Sequence, residues 1–463
     1  MNHTMKTCQK LLVLGILCFA LPALGQGMPP VVQAAKDADW ARLSSLLSAQ
    51  SNVQDVYGDG TSALHWASYH DNVEAAVELI EQGGDVDSAT DLGVTPLWLA
   101  ADNGSSLMVD ALLARGANPN LNLLSGETLV MTAAHSGNAA LVRSLLAAGA
   151  SPQGAVTRNQ TALMWAAGQG HAEVVAALLN YGAKVDARTL VRSQFVKSEK
   201  EQDSHPLNKV WVEQGGNTAL IFAARAGSLE SARLLVAAGS DVNGLSAFGT
   251  SPAIMAVHGG NIELLDFLLT SGADVESSAS GHTALHAAIL RGSLGAIEVL
   301  LDHGADIEAI LEKPTPARRQ SADYSFHDSL IGATPLWLAA RFTEPKIMTL
   351  LLERGADPMF VNNVTYPTLS GLEPVIAEEG EITVLMAAVG MGYRRLRMSW
   401  GSTERRAGIE GNDREARILE AAEIAVAAGV DSNIQNSAGM AARDFARSRR
   451  YEEVFAFLDI VGR

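Results

Sequence analysis

The sequence predicts an all-α solenoid, a stack of helix–turn–helix units joined by extended connections, and three observations predict it. One motif recurs from residue 61 to the C-terminus: Thr, any residue, Leu, then small apolar residues and often Gly. At a fixed distance after each copy lies a second motif, an apolar helical stretch closed by Gly and a small or acidic residue. The chain is 48% hydrophobic but only 5% aromatic, so its interior is built mainly from Ala, Leu and Val. At 463 residues it is too long for one compact core, and a repeat array buries a continuous core instead.

In chain order, residues 1–25 read as a secretory signal peptide. Lys6 and Lys10 give a positive start, Leu11 to Leu21 an apolar run, and Ala23-Leu24-Gly25 a small-x-small end, so cleavage is expected near Gly25/Gln26. The apolar run is too short to span a bilayer, and no later segment is long and apolar enough, so no membrane span is expected in the mature chain. Cys18 follows Leu17, whereas a lipidated cysteine follows a small residue. Both cysteines, Cys8 and Cys18, fall in this segment, and the mature chain is expected to lack disulfides, a thiol nucleophile and zinc–thiolate sites. A periplasmic or secreted location follows.

Residues 26–58, with VVQAAKDADWARLSSLL, are expected to form N-terminal capping helices. The array over 59–439 then reads TSALHWASYHD from Thr61, TPLWLAADNG from Thr95, TLVMTAAHSG from Thr128 and TALMWAAGQG from Thr161. It continues as TALIFAARAG from Thr218, SPAIMAVHGG from Ser251, TALHAAILRG from Thr283, TPLWLAARFT from Thr334 and TVLMAAVGMG from Thr383. A degenerate copy, MAARDFARSRR, opens a C-terminal capping repeat at 440–463. That makes about ten units plus the N-terminal cap. The distance from Thr to the closing Gly is 21 residues in seven units and 22 in the first, from Thr61 to Gly83. Thr suits the N-cap, because its hydroxyl accepts a bond from an orphan helical N–H. Pro at the first helical position loses nothing, since its missing N–H had no partner there. Ala lets helices approach closely, and the closing Gly supplies a left-handed turn.

These residues resemble the ankyrin repeat family. TPLWLAA, GHAEVVAALL and HGADIEA all sit in register, and the likeness covers about residues 59–463 with the half-unit at 30–58 as cap. The resemblance implies L-shaped units, a concave face lined by first helices and hairpin tips, and stability that comes from stacking. It also implies that His65 and His286 fasten turns and that His171 is a consensus residue. Partner contact is implied for the two residues after Ala-Ala in each first helix. These include Tyr69, Asp102 and His135 in the first half, and Arg225, His258, Arg291, Arg341 and Phe342 in the second.

Departures from the pattern carry the specific information. The connection from the second Gly to the next Thr grows from 11 or 12 residues to 36 after Gly182, 30 after Gly304 and 28 after Gly355. These insertions, at about 188–216, 310–332 and 360–381, lengthen inter-repeat hairpins. A fourth, at 393–413, separates the two helices of one unit and carries Arg394, Arg395 and Arg397 beside Trp400. Arg225, His258, Arg291 and Arg341 fall in four successive units, which reads either as a basic stripe for a partner or as cations favoured by helix C-termini.

Lys plus Arg number 34 against 51 Asp plus Glu, a net charge of −17, which argues against a nucleic-acid partner. There is no HExxH, GxSxG, Walker loop or placed GxGxxG, so no enzyme activity, cofactor or metal is expected. The function predicted is a monomeric, non-catalytic scaffold that holds a protein partner. Two alternatives stay open: binding of a small anionic ligand or anionic polymer, and service as the accessory subunit of an exported enzyme.

Overall fold

The computed structural model describes residues 27–197, 209–313, 330–363, 380–391 and 412–463. The segment read as a signal peptide therefore lies outside the described residues, as do Arg394, Arg395, Arg397 and Trp400. The chain divides into two compact units, Met1–Ala187 and Arg188–Arg463.

The first unit holds five helix pairs, from Pro30–Lys36 with Trp40–Ser48 to Ala162–Gln169 with Ala172–Asn180. The second holds six, from Ala219–Ala226 with Leu229–Ala237 to Ala442–Arg449 with Glu452–Val461. Within each unit, first helices pack on neighbouring first helices and second helices on second helices. Small side chains allow this: Ala100, Ala101, Ala133, Ala134, Ala223 and Ala224 are all fully buried, beside Leu97, Leu129 and Leu220.

The capping chemistry follows the motif. The Thr95 hydroxyl accepts from Trp98 N at 3.1 Å and the Thr161 hydroxyl from Met164 N at 3.3 Å. Thr128, Thr218, Ser251, Thr283, Thr334 and Thr383 do the same. Pro96, Pro252 and Pro335 stand at the helix starts, where a missing N–H costs nothing. The first repeat corrects the register read from its sequence. Its N-cap is Ser62, not Thr61, and the Ser62 hydroxyl accepts from His65 N. Counted from Ser62, the first unit also has the common spacing of 21 to Gly83.

His65 and His286 hold turns as the resemblance implied. His65 Nδ1 accepts from Ser62 N at 3.1 Å, while Nε2 lies 2.9 Å from Val94 O in the next connection. His286 Nδ1 accepts from Thr283 N at 3.2 Å. Trp337 takes the His286 place in its own repeat and donates from Nε1 to Ile382 O at 3.0 Å.

Successive connections are bonded to one another. Asp91 N donates to Asp59 O and Leu124 N to Leu92 O, each at 2.9 Å, and Ala247 N donates to Gly215 O at 2.9 Å. The three longer connections are paired at their roots. Thr189 N donates to Asn217 O and Leu311 N to Ala333 O, both at 3.0 Å, and Val361–Asn362 pairs antiparallel with Ile382–Thr383. Above the first of these roots the chain continues as a two-stranded antiparallel ribbon, Arg192–Lys197 against Lys209–Gln214.

Beyond the fourth insertion, the second helix of its unit, Asn412–Ala427, has 16 residues where the other second helices have 8 to 10. Its additional N-terminal turns are anchored by Arg417, which donates to Glu344 Oε2 at 3.0 Å. At the C-terminus, Ala441 stands where Thr is usual. Asp444 substitutes by accepting from Ala441 N at 3.0 Å.

Candidate functional site

Each first helix spends its inner side chains on stacking and leaves the positions seven and eight residues after the N-cap at least partly open in every repeat but those of Arg341 and Met391; position four joins them where it is half-buried, at Trp165, Phe222 and Met255, and borders them elsewhere. Helical spacing puts these on one face. In the first unit the face is aromatic and polar. Trp66, Tyr69 and His70 come from the first repeat, Asp102 and Asn103 from the second, His135 and Ser136 from the third, and Trp165 and Gln169 from the fourth.

The first repeat concentrates this chemistry. His70 stacks on Trp66 at 6.1 Å between centroids, Tyr69 meets Trp66 edge-on at 5.6 Å, and Trp40 meets His70 edge-on at 5.9 Å. Lys36 Nζ lies 5.7 Å from the centre of the Trp66 ring. His70 is exposed and Tyr69 half-buried, so a partner can reach the rings. Ser68 is fully buried, and the pair presented here is therefore Tyr69 and His70, one residue later than the sequence suggested. Asn103 ties the next repeat to this cluster by donating to Ser68 O at 3.1 Å and Tyr69 O at 3.0 Å. At the other end of the face, His135 meets Trp165 edge-on at 5.1 Å. Burial lowers the His135 pKa and His171 adds to this, while Glu127 opposes it. The imidazole is then neutral near pH 7 and free to accept or donate. The indole N–H groups of Trp66 and Trp165 have no hydrogen-bond partner.

In the second unit the four residues read as a stripe do not share one environment. Arg225 is exposed, with its guanidinium 5.1 Å from the centre of the Phe222 ring. His258 and Arg291 are half-buried. Burial and the neighbouring Arg291 push the His258 pKa down to about 4, so it is neutral at pH 7. Arg341 is 3% exposed and Phe342, the C-cap residue beside it, is half-buried. Of the three arginines, then, Arg225 is exposed, Arg291 is half-buried, and Arg341 is enclosed. The aromatic cluster of Trp40, Trp66, Tyr69 and His70 escaped the sequence reading. Its only signal there was a Trp four residues after two N-caps.

Among the described residues no group of His, Cys, Asp or Glu could hold a metal ion. No helix among them is long and apolar enough to cross a membrane.

Comparison with known proteins agrees with this architecture. The family described as "Ankyrin repeats (3 copies)" matches residues 31–123, 108–189 and 220–310, and "Ankyrin repeat" matches 331–363. Human Rabankyrin-5 is 26% identical over 69% of this chain and 26% of its own length. "Ankyrin repeat and KH domain-containing protein mask-1" of Caenorhabditis elegans is 28% identical over 34% of this chain and 6% of its own. Human "Neurogenic locus notch homolog protein 1" is 39% identical over 16% of this chain and 3% of its own. The chain thus spans about a quarter or less of these curated relatives. The crystal structure of the human ASB11 ankyrin repeat domain aligns with a TM-score of 0.40 at 24% identity, covering 60% of this chain and 98% of that one. With repeats matched over more than half its length and the stacked helix pairs that the family fold requires, the chain belongs to the ankyrin repeat family.

Proposed function

We propose that this chain is a non-catalytic protein–protein interaction scaffold, exported to the periplasm or beyond, that holds a protein partner on the outer face of its first helices. One observation carries the reading. The inner positions of the first helices are nearly uniform Ala and Leu, whereas the outer ones change from repeat to repeat. Seven residues after the N-cap stand Tyr69, Asp102, His135, Gly168, Arg225, His258 and Leu290 in turn, followed by Arg341, which is enclosed. Stacking alone needs no such variety, and recognition of one partner does. Exposed rings and arginine are the side chains that contribute most at interfaces, which favours Tyr69, His70 and Arg225 as anchors. Export is supported by the signal-like segment ending at Gly25.

The test is a pull-down from periplasm with the full chain, read by mass spectrometry, beside Tyr69→Ala/His70→Ala and Arg225→Ala. Loss of a captured protein with either variant, at unchanged helical content, supports the reading. Equal recovery of the same proteins by all three overturns the assignment of the face. Retention of an anionic polymer alone, released by salt, would favour the anion-binding alternative. N-terminal sequencing should begin near Gln26, and an intact Met1 on the purified chain would remove the export proposal.

A further inference from the structure

We propose that the aromatic cluster of the first repeat is a receptor for cationic side chains, and that it docks an arginine-bearing segment of the partner protein. The proposal rests on the reading of Tyr69 and His70 as anchors and adds the chemistry that they recognise. Helical spacing puts Trp66, Tyr69 and His70 together at the end of the Ala63–Tyr69 helix. Trp40, the first residue of Trp40–Ser48, closes on His70 from the preceding helix pair. His70 Nε2 donates to Lys36 O at 3.0 Å, which ties the cluster to the end of Pro30–Lys36.

An aromatic face is electron-rich and attracts a cation placed over it. The chain already shows this with its own Lys36, whose ammonium lies 5.7 Å from the centre of the Trp66 ring. Lys36 is exposed, so its long side chain can move aside for a cation from outside. Carboxylates rim the same place. Asp37 follows Lys36 and Asp71 follows His70 in the chain, and both are exposed. Asp37 accepts from Gln33 Nε2 at 2.8 Å, and neither acid is ion-paired among the described residues. At the tips of the next connections stand Asp59 and Asp91, whose backbones are bonded to each other. Between residues 27 and 187 as a whole, 16 Asp and Glu stand against six Lys and Arg.

Rings and carboxylates together select the occupant. An acidic segment, a nucleic acid or an anionic bilayer would meet the carboxylates first. An apolar segment would cover the rings but strip water from Asp37 and Asp71 and give nothing in return. Two copies set face to face would oppose carboxylate to carboxylate. A guanidinium satisfies both features, because its flat face lies on a ring while its N–H edges reach carboxylates. An ammonium offers the charge without the plane, which favours arginine over lysine.

The experiment measures binding of a fluorescent twelve-residue peptide of alternating Gly and Arg to the full chain, by anisotropy. Gly–Lys and Gly–Glu peptides and spermidine serve as comparisons. The Gly–Arg peptide should bind saturably, the Gly–Lys peptide about fivefold more weakly, and the other two not measurably. Tyr69→Ala/His70→Ala and Asp37→Asn/Asp71→Asn should each weaken binding about tenfold at unchanged helical content. Asp110→Asn/Glu173→Gln makes the same change in net charge at exposed positions of second helices, and should leave the affinity within about twofold. Lys36→Ala should tighten binding about threefold, because it removes a competing cation; a cluster with a purely structural role would not respond in that direction. Absence of saturable binding, equal affinity for the Gly–Lys peptide or spermidine, an equal loss in Asp110→Asn/Glu173→Gln, or no gain in Lys36→Ala would each overturn the proposal. A partner recovered by pull-down and lost in Tyr69→Ala/His70→Ala would still uphold the functional reading, so the two fail separately.

Discussion

At the scale of single residues, the second unit contains three imidazoles kept neutral by burial. The pKa of His286 is lowered to about 4 and that of His282 to about 3; His258 stands at about 4 beside Arg291. Burial is the largest cause in each. For His282 its two imidazole neighbours add to it, and for His286 Asp306 works the other way. An unfolded chain holds these groups near 6.5. As pH falls below that value the unfolded state takes up protons and the native state does not, so stability falls, and it levels off only below about pH 3. Urea midpoints for the full chain should therefore drop from pH 7 to pH 5, and His282→Gln should show a smaller drop. An equal drop in both would contradict this. A second residue lies against local preference. Thr343 has φ 56° at the turn where six other repeats place Gly, and its buried hydroxyl has no partner. Thr343→Gly relieves both, and should raise stability by about 1 kcal/mol, read as an upward shift in Tm. A fall in Tm would show that the lost methyl packing outweighs the strain.

At the scale of elements, the caps and the 21-residue spacing were legible because the reason for them is local. A hydroxyl must sit at the helix start and a glycine at the turn. Ser62 was misread because Thr61 and Ser62 can both cap; the 21-residue spacing to Gly83 already favoured Ser62, and the His65 Nδ1 bond to Ser62 N settles it. Arg225 and Arg341 look alike in sequence, since each follows Ala-Ala at a helix end, yet one is exposed and the other buried. Burial of that kind is set by the neighbouring repeat, which local pattern does not report. The extension of the Asn412–Ala427 helix was likewise hidden, because its anchor, Glu344, lies 73 residues away. Glu344 is 14% exposed and Arg417 28%. Burial raises the Glu344 pKa and Arg417 opposes the rise. Arg417→Ala should leave a poorly solvated carboxylate and cost about 1–3 kcal/mol at pH 7. The loss should shrink as pH falls and Glu344 protonates, and adding Glu344→Gln should recover part of it. A pH-independent loss would assign the effect to packing instead.

At the scale of the whole molecule, a repeat array is stabilised by contacts between neighbours, and its ends are its weak points. Val454 and Leu458 of the last helix are fully buried, as are Ala421 and Ala422 of the Asn412–Ala427 helix, against which that last helix packs. Deleting 440–463 should uncover this apolar surface and produce aggregation, visible as loss of the parent chain's elution peak in size-exclusion chromatography. A truncated chain as soluble and heat-stable as the parent would contradict the neighbour-only account.

The paired roots of the long connections have a consequence for how such a chain changes over generations. Where Leu311 meets Ala333 and Val361 meets Thr383, the backbone is already closed before the inserted residues begin. The stack below meets the same two bonded strands whatever lies above them. Lengthening a connection then adds only a loop-closure term that grows slowly with length. A connection clamped at its base behaves as an exchangeable cassette: new recognition segments can be tried, enlarged or discarded there while the helices beneath keep their register.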